Sequence, residues 1–95
     1  MKILFLGDVV GNSGCKAINE NLQEIISKYS VDFTIVNGEN SSSSGVGITE
    51  EIAKTFFSAG VDVITTGNHV WDEKEIMNFI DNESRLLRPL NLITN

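Results

Sequence analysis

The sequence is short of three residue types that most often build chemistry or staples: it has one cysteine (Cys15), one proline (Pro89) and one histidine (His69) in 95 residues. A lone Cys15 excludes an internal disulfide and every cysteine-paired zinc spacing, and it points to a reducing, cytoplasmic compartment. A basic cluster is missing too. Seven Lys and Arg are scattered from Lys2 to Arg88 against thirteen Asp and Glu, for a net charge of -6, which argues against a grip on the backbone of double-stranded nucleic acid. No window approaches the roughly 18 apolar residues of a membrane span. The N-terminal apolar run is stopped by Gly7-Asp8 too early to be the core of a signal peptide. Two nucleotide fingerprints are absent as well: Gly7, Gly11 and Gly14 do not make Gly-x-Gly-x-x-Gly, and Lys16 follows Cys15 rather than a P-loop glycine.

What is present is an alternation of strand-like and helix-like segments. A length of 95 residues sets a ceiling of one small domain or a piece of one, with no linker and no internal repeat beyond the β-α unit. Lys2-Ile3-Leu4-Phe5-Leu6 reads as a first strand buried on both faces. Ile18, Leu22, Ile25, Ile26 and Tyr29 recur at helical spacing and predict a helix from about Asn12 or Ser13 to Lys28. Asp32 to Val36 is a second β-rich run, and the serines Ser41 to Ser44, with Gly45 and Gly47, predict a mobile loop. Thr49 then caps a second helix with Glu50 and Glu51 in its first turn, Ile52, Ala53, Phe56 and Phe57 as its buried stripe, and Gly60 as its left-handed end. Val61 to Thr65 is a third strand. Asp72 with Glu75 forms a capping box and Trp71 packs on Ile76 at the start of a third helix that buries Ile76, Phe79 and Ile80. Arg85 to Arg88 gives a short fourth strand cut off at Pro89. The fold class is α/β, with βαβαβα units on a mainly parallel sheet.

Three predicted strands end in polar side chains: Asp8 after the first, Glu39-Asn40 after the second, and Asn68-His69 after the third. In an open parallel sheet the carboxyl ends of the strands are where ligands bind. A carboxylate such as Glu39 can bridge two cations, with Asp8 on one and Asn68 on the other, and oxygen donors suit Mn and Mg while imidazole adds affinity for Fe and Zn. His69 titrates near neutrality and would serve a leaving group as proton donor or stabilise charge on a phosphate. Each residue also has a plainer reading. Asp8 can cap the first helix or close a turn, Glu39-Asn40 can be loop surface, Asn68 a turn residue, His69 and Trp71 packing, and Asp72 a helix cap. Cys15, close to a helix start, is either a reactive thiol or a small packed residue.

Gly7-Asp8-Val9-Val10-Gly11, Asn37-Gly38-Glu39-Asn40, Thr66-Gly67-Asn68-His69-Val70-Trp71-Asp72 and Arg85-Leu86-Leu87-Arg88-Pro89 together resemble the YmdB-like branch of the calcineurin-like metallophosphoesterases. The resemblance covers essentially the whole chain. Val10 stands where the wider superfamily has a histidine, and Glu39 replaces its bridging aspartate, as in the YmdB-like branch. The resemblance implies two metal ions of the Fe, Mn or Zn kind held by Asp8, Glu39, Asn40 and Asn68, with Glu39 bridging and His69 beside the phosphate as the catalytic residue. It further implies a phosphodiesterase acting on small cyclic nucleotides, notably 2′,3′-cyclic ones. Family members are longer and draw further metal ligands from histidines in their second half, so residues 1–95 are expected to be the N-terminal portion of a sandwich. An apolar sheet face would then lie uncovered, favouring homo-oligomers, and the chain alone would hold metal weakly and turn over little substrate. The alternative expectation is a truncated, non-enzymatic fragment that oligomerises or pairs with another chain.

Overall fold

The order of elements is β1 (Ile3–Leu6), α1 (Gly11–Tyr29), β2 (Phe33–Asn37), α2 (Glu50–Ala59), β3 (Val63–Thr65) and β4 (Leu86–Leu87). This computed structural model describes residues 1–7, 9–42, 47–67, 79–80 and 82–87. The predicted capping box at Asp72 and the Trp71 staple lie outside the described residues, as does most of the predicted third helix.

Among the described residues all pairings are parallel, and the strands lie in the order β1-β2-β3-β4. The register pairs Ile3 with Phe33, Ile35 with Val63, and Ile64 with Leu86. Strands that follow one another in both sequence and space, joined by right-handed crossovers, carry their helices on one face of the sheet. The core agrees: Ile18 and Leu22 of α1, Ala53 and Phe56 of α2, and Val36, Ile64 and Leu86 of the sheet form one buried cluster, which Ile80 joins. Parallel alternation then turns Ile3, Phe5 and Leu87 to the opposite face, where they are 59%, 59% and 46% exposed. β1 is therefore covered on one face only, a correction to the two-sided burial predicted from its continuous apolar run. Periodicity reports that both faces are apolar and cannot report what covers them.

Local rules explain the helix ends. Thr49 accepts the Ile52 N–H at 3.2 Å, Glu50 and Glu51 stand in the first turn, and Gly60 closes α2 at φ 116° with its N–H on Phe56 and Phe57 carbonyls. Ser30 closes α1 in the left-handed region, at φ 54°. The Arg85 guanidinium lies over the Phe57 ring at 4.0 Å while its carbonyl accepts the Ile64 N–H at 2.8 Å, so one residue docks the fourth strand on both α2 and β3.

Candidate functional site

The carboxyl ends of β1, β2 and β3 face one edge, and the loop after the central strand β2 organises it. Asn37 Oδ1 accepts the Glu39 N–H at 3.0 Å, a side-chain turn of the kind asparagine favours. The Gly38 N–H donates to the Thr65 carbonyl at 2.9 Å. The Gly38 carbonyl in turn accepts from the Ser41 hydroxyl at 2.8 Å and the Ser41 N–H at 3.2 Å. This tight turn is drawn into the core: a Cβ on Gly38 would stand 2.9 Å from Ile48 Cδ1 and 3.1 Å from Ile64 Cγ2. Glu39 and Asn40, both half-buried, are presented at the edge by that turn.

Ser41 and Ser42 belong to the same construction. They are fully buried, and the Ser42 N–H donates to the Gly47 carbonyl at 2.9 Å. The first half of the serine run is thus a packed part of the site's floor, which corrects the mobile loop expected there. A hydroxyl that finds a backbone carbonyl loses the reason to stay in water.

Both neighbouring loops are tied to this centre. Val10 bridges to Asn40, and the Gly11 N–H donates to the Asn40 carbonyl at 3.0 Å, which fixes the loop after β1. The Cys15 thiol donates to the Ser41 carbonyl at 3.1 Å. Burial pushes that thiol above its ordinary pKa, against a smaller lowering by the backbone hydrogen bond. The packed reading of Cys15 therefore stands in place of the reactive one. On the other side, the Glu39 carboxylate lies against the Cα of Gly67, in the place where a side chain at 67 would begin. Thr66 adds a hydroxyl bond to the Leu87 carbonyl.

Of the predicted site residues, Glu39 and Asn40 stand side by side at the junction of the three loops. Asp8, Asn68 and His69 lie outside the described residues. Among the described residues no three His, Cys, Asp or Glu side chains gather around one point. The donors that are placed, a carboxylate and an amide oxygen, are hard oxygen ligands suited to Mg or Mn. A surface furrow lined by Asn19, Gln23, Glu51, Lys54, Thr55 and Ser58 uses none of these loop residues and runs over exposed side chains. Gly67, against which the Glu39 carboxylate lies, is the position that residue chemistry alone passed over. Its signal was a glycine directly before Asn68.

Parallel strands covered by helices on one face, with Glu39 and Asn40 presented at the carboxyl edge, define an open-sheet α/β domain with a candidate site in its loops. The chain belongs to the YmdB-like protein family, whose model it matches over residues 4–95. It is 48% identical over 91 residues to the 2′,3′-cyclic-nucleotide 2′-phosphodiesterase of Bacillus subtilis (strain 168), covering 96% of this chain and 34% of that protein. Among solved structures it is similar to a novel phosphatase from Mycoplasma pneumoniae, with a TM-score of 0.89 and 42% identity over 98% of this chain and 33% of that one. A hypothetical protein from Thermus thermophilus gives a TM-score of 0.87 and 36% identity over 100% of this chain and 36% of that one. The chain spans about a third of the length of each of these relatives.

Proposed function

We propose that this chain carries the metal-gripping edge of a cytoplasmic phosphodiesterase that hydrolyses small cyclic nucleotides of the 2′,3′ type. The observation that carries the reading is the Glu39 carboxylate, seated against Gly67 after β3 in a chain 48% identical to a protein named for that reaction. Two divalent ions of the Mn, Fe or Zn kind, when bound, supply a polarised water and offset the phosphate's charge. Glu39 would hold them through its carboxylate, with Asp8, Asn40 and Asn68 completing the oxygen donors. His69 gives its proton to the departing alkoxide oxygen as water oxygen bonds to phosphorus and the ring P–O ester breaks. No helix among the described residues is long and apolar enough to cross a membrane.

A second reading is favoured by one specific observation, the exposure of Ile3 and Phe5 on the bare face of the sheet: a fragment that pairs with another copy through that face and does no chemistry. Titration with Mn²⁺, together with an assay on 2′,3′-cyclic AMP, separates the two. The first reading expects Mn²⁺ uptake that Glu39→Gln weakens, with turnover far below that of a full-length relative. Uptake indifferent to Glu39→Gln would leave the second reading standing.

A further inference from the structure

We propose that Gly67 is the positioning residue for Glu39: the space left by its missing Cβ is the seat of the Glu39 carboxylate, and that seat fixes where the carboxylate stands. The proposal rests on the reading of Glu39 as a metal ligand and adds to it a residue that acts through Glu39.

The three atoms nearest to a Cβ built on Gly67 all belong to Glu39, the two carboxylate oxygens and the carbon between them, and all lie inside contact distance. The backbone does not ask for glycine here. The described glycines in the left-handed region are Gly11, Gly47 and Gly60, so Gly67 lacks the positive φ that favours glycine. What excludes a side chain at 67 is a side chain at 39, brought there by the pairing of β2 with β3. Gly38 makes the contrast, because its crowding comes from the core residues Ile48 and Ile64.

The two ends of Glu39 differ in freedom. Its N–H is held by Asn37 Oδ1 and its chain neighbour Gly38 is bonded to Thr65, so its backbone stays. Its carboxylate is the far end of a flexible side chain and can swing. A methyl group at 67 is therefore accommodated by turning the carboxylate away, which costs the fold little and changes the aim of the ligand.

The test uses the 95-residue chain with Gly67→Ala, Glu39→Asp, both together, and Glu39→Gln, read by calorimetric Mn²⁺ titration, thermal melting, and the nuclear Overhauser contact between Glu39 Hγ and the residue 67 Hα. Gly67→Ala is expected to melt at or above the wild-type temperature, to lose that contact, and to bind Mn²⁺ about tenfold more weakly, the usual scale for a group that orients a ligand. Glu39→Asp withdraws the carboxylate by one C–C bond, about 1.5 Å, so adding Gly67→Ala to Glu39→Asp should cost no further affinity. Wild-type Mn²⁺ affinity in Gly67→Ala, beside a loss in Glu39→Gln, overturns the positioning role and leaves the ligand reading intact. Uptake unchanged in Glu39→Gln overturns the ligand reading instead; there, and where the chain takes up no Mn²⁺, the Overhauser contact decides, and its survival in Gly67→Ala overturns the seat.

Discussion

Thr34 and Asp62 hold each other in both directions: the Thr34 N–H donates to Asp62 Oδ2 at 2.8 Å, and the Asp62 N–H donates to the Thr34 carbonyl at 2.9 Å. The same exchange occurs one strand earlier, where Lys2 N–H meets Asp32 Oδ2 at 2.8 Å and the Asp32 N–H meets the Lys2 carbonyl at 2.8 Å. An aspartate just ahead of β2, and another just ahead of β3, each clamps the preceding strand. The edge opposite the candidate site is thus stitched by side chains.

Asp62→Ala leaves the Thr34 N–H, in a residue 1% exposed, without its acceptor. The expected loss is about 1–3 kcal/mol, the cost of an unsatisfied buried donor, read as a lower urea midpoint. Asp32→Ala should lose less, because Lys2 is exposed and water replaces the carboxylate. Equal losses would show that the clamp at Thr34 has no special weight.

Gly38→Ala places a methyl group against Ile48 and Ile64, both fully buried. Overpacking of this kind costs about 1–3 kcal/mol. The denaturation midpoint should fall while Gly67→Ala leaves it in place, and the pair of variants separates crowding by the core from crowding by the site.

Ile3 and Phe5 put apolar surface in water on the bare face, and contiguous patches of that kind drive association. Sedimentation velocity should show concentration-dependent self-association of the chain, abolished by Ile3→Thr with Phe5→Thr. A sharp monomer boundary for the wild type at high concentration would count against an adhesive face.

Burial raises the Cys15 pKa, so its thiolate is scarce at neutral pH. Iodoacetamide should react with the folded chain more slowly than with the urea-unfolded one. A thiol whose folded pKa lies above its unfolded value stabilises the fold below the unfolded pKa, and that contribution is lost as pH rises through the folded one. Cys15→Ala should therefore flatten the stability profile on its alkaline limb.

Much of this fold was legible because its rules are local. Thr49, Glu50, Glu51 and Gly60 announce α2 within a dozen residues, and the apolar spacing of Ile18 and Leu22 announces α1. Strand boundaries shift by a residue or two, since the ends of β2 and β3 are settled by their partners. The burial of Ser41 and Ser42 was not legible: serine composition speaks for solvent, and only the turn at Gly38 and the carbonyl of Gly47 overrule it. Nor was the meeting of Glu39 with Gly67, which depends on parallel register between strands. One signal was available and passed over, the Val-Asp pair that opens both Val31-Asp32-Phe33 and Val61-Asp62-Val63, which marks the clamping aspartates.

The sheet order has a consequence for how the chain comes into being. Its register joins residue 3 to 33, 35 to 63 and 64 to 86, so every strand pairs with one already made. Parallel pairing closes longer loops than a hairpin does and is slower for it, and domains emerge from the ribosome N-terminus first. This sheet can add its strands in the order of translation, each new one laid along the last.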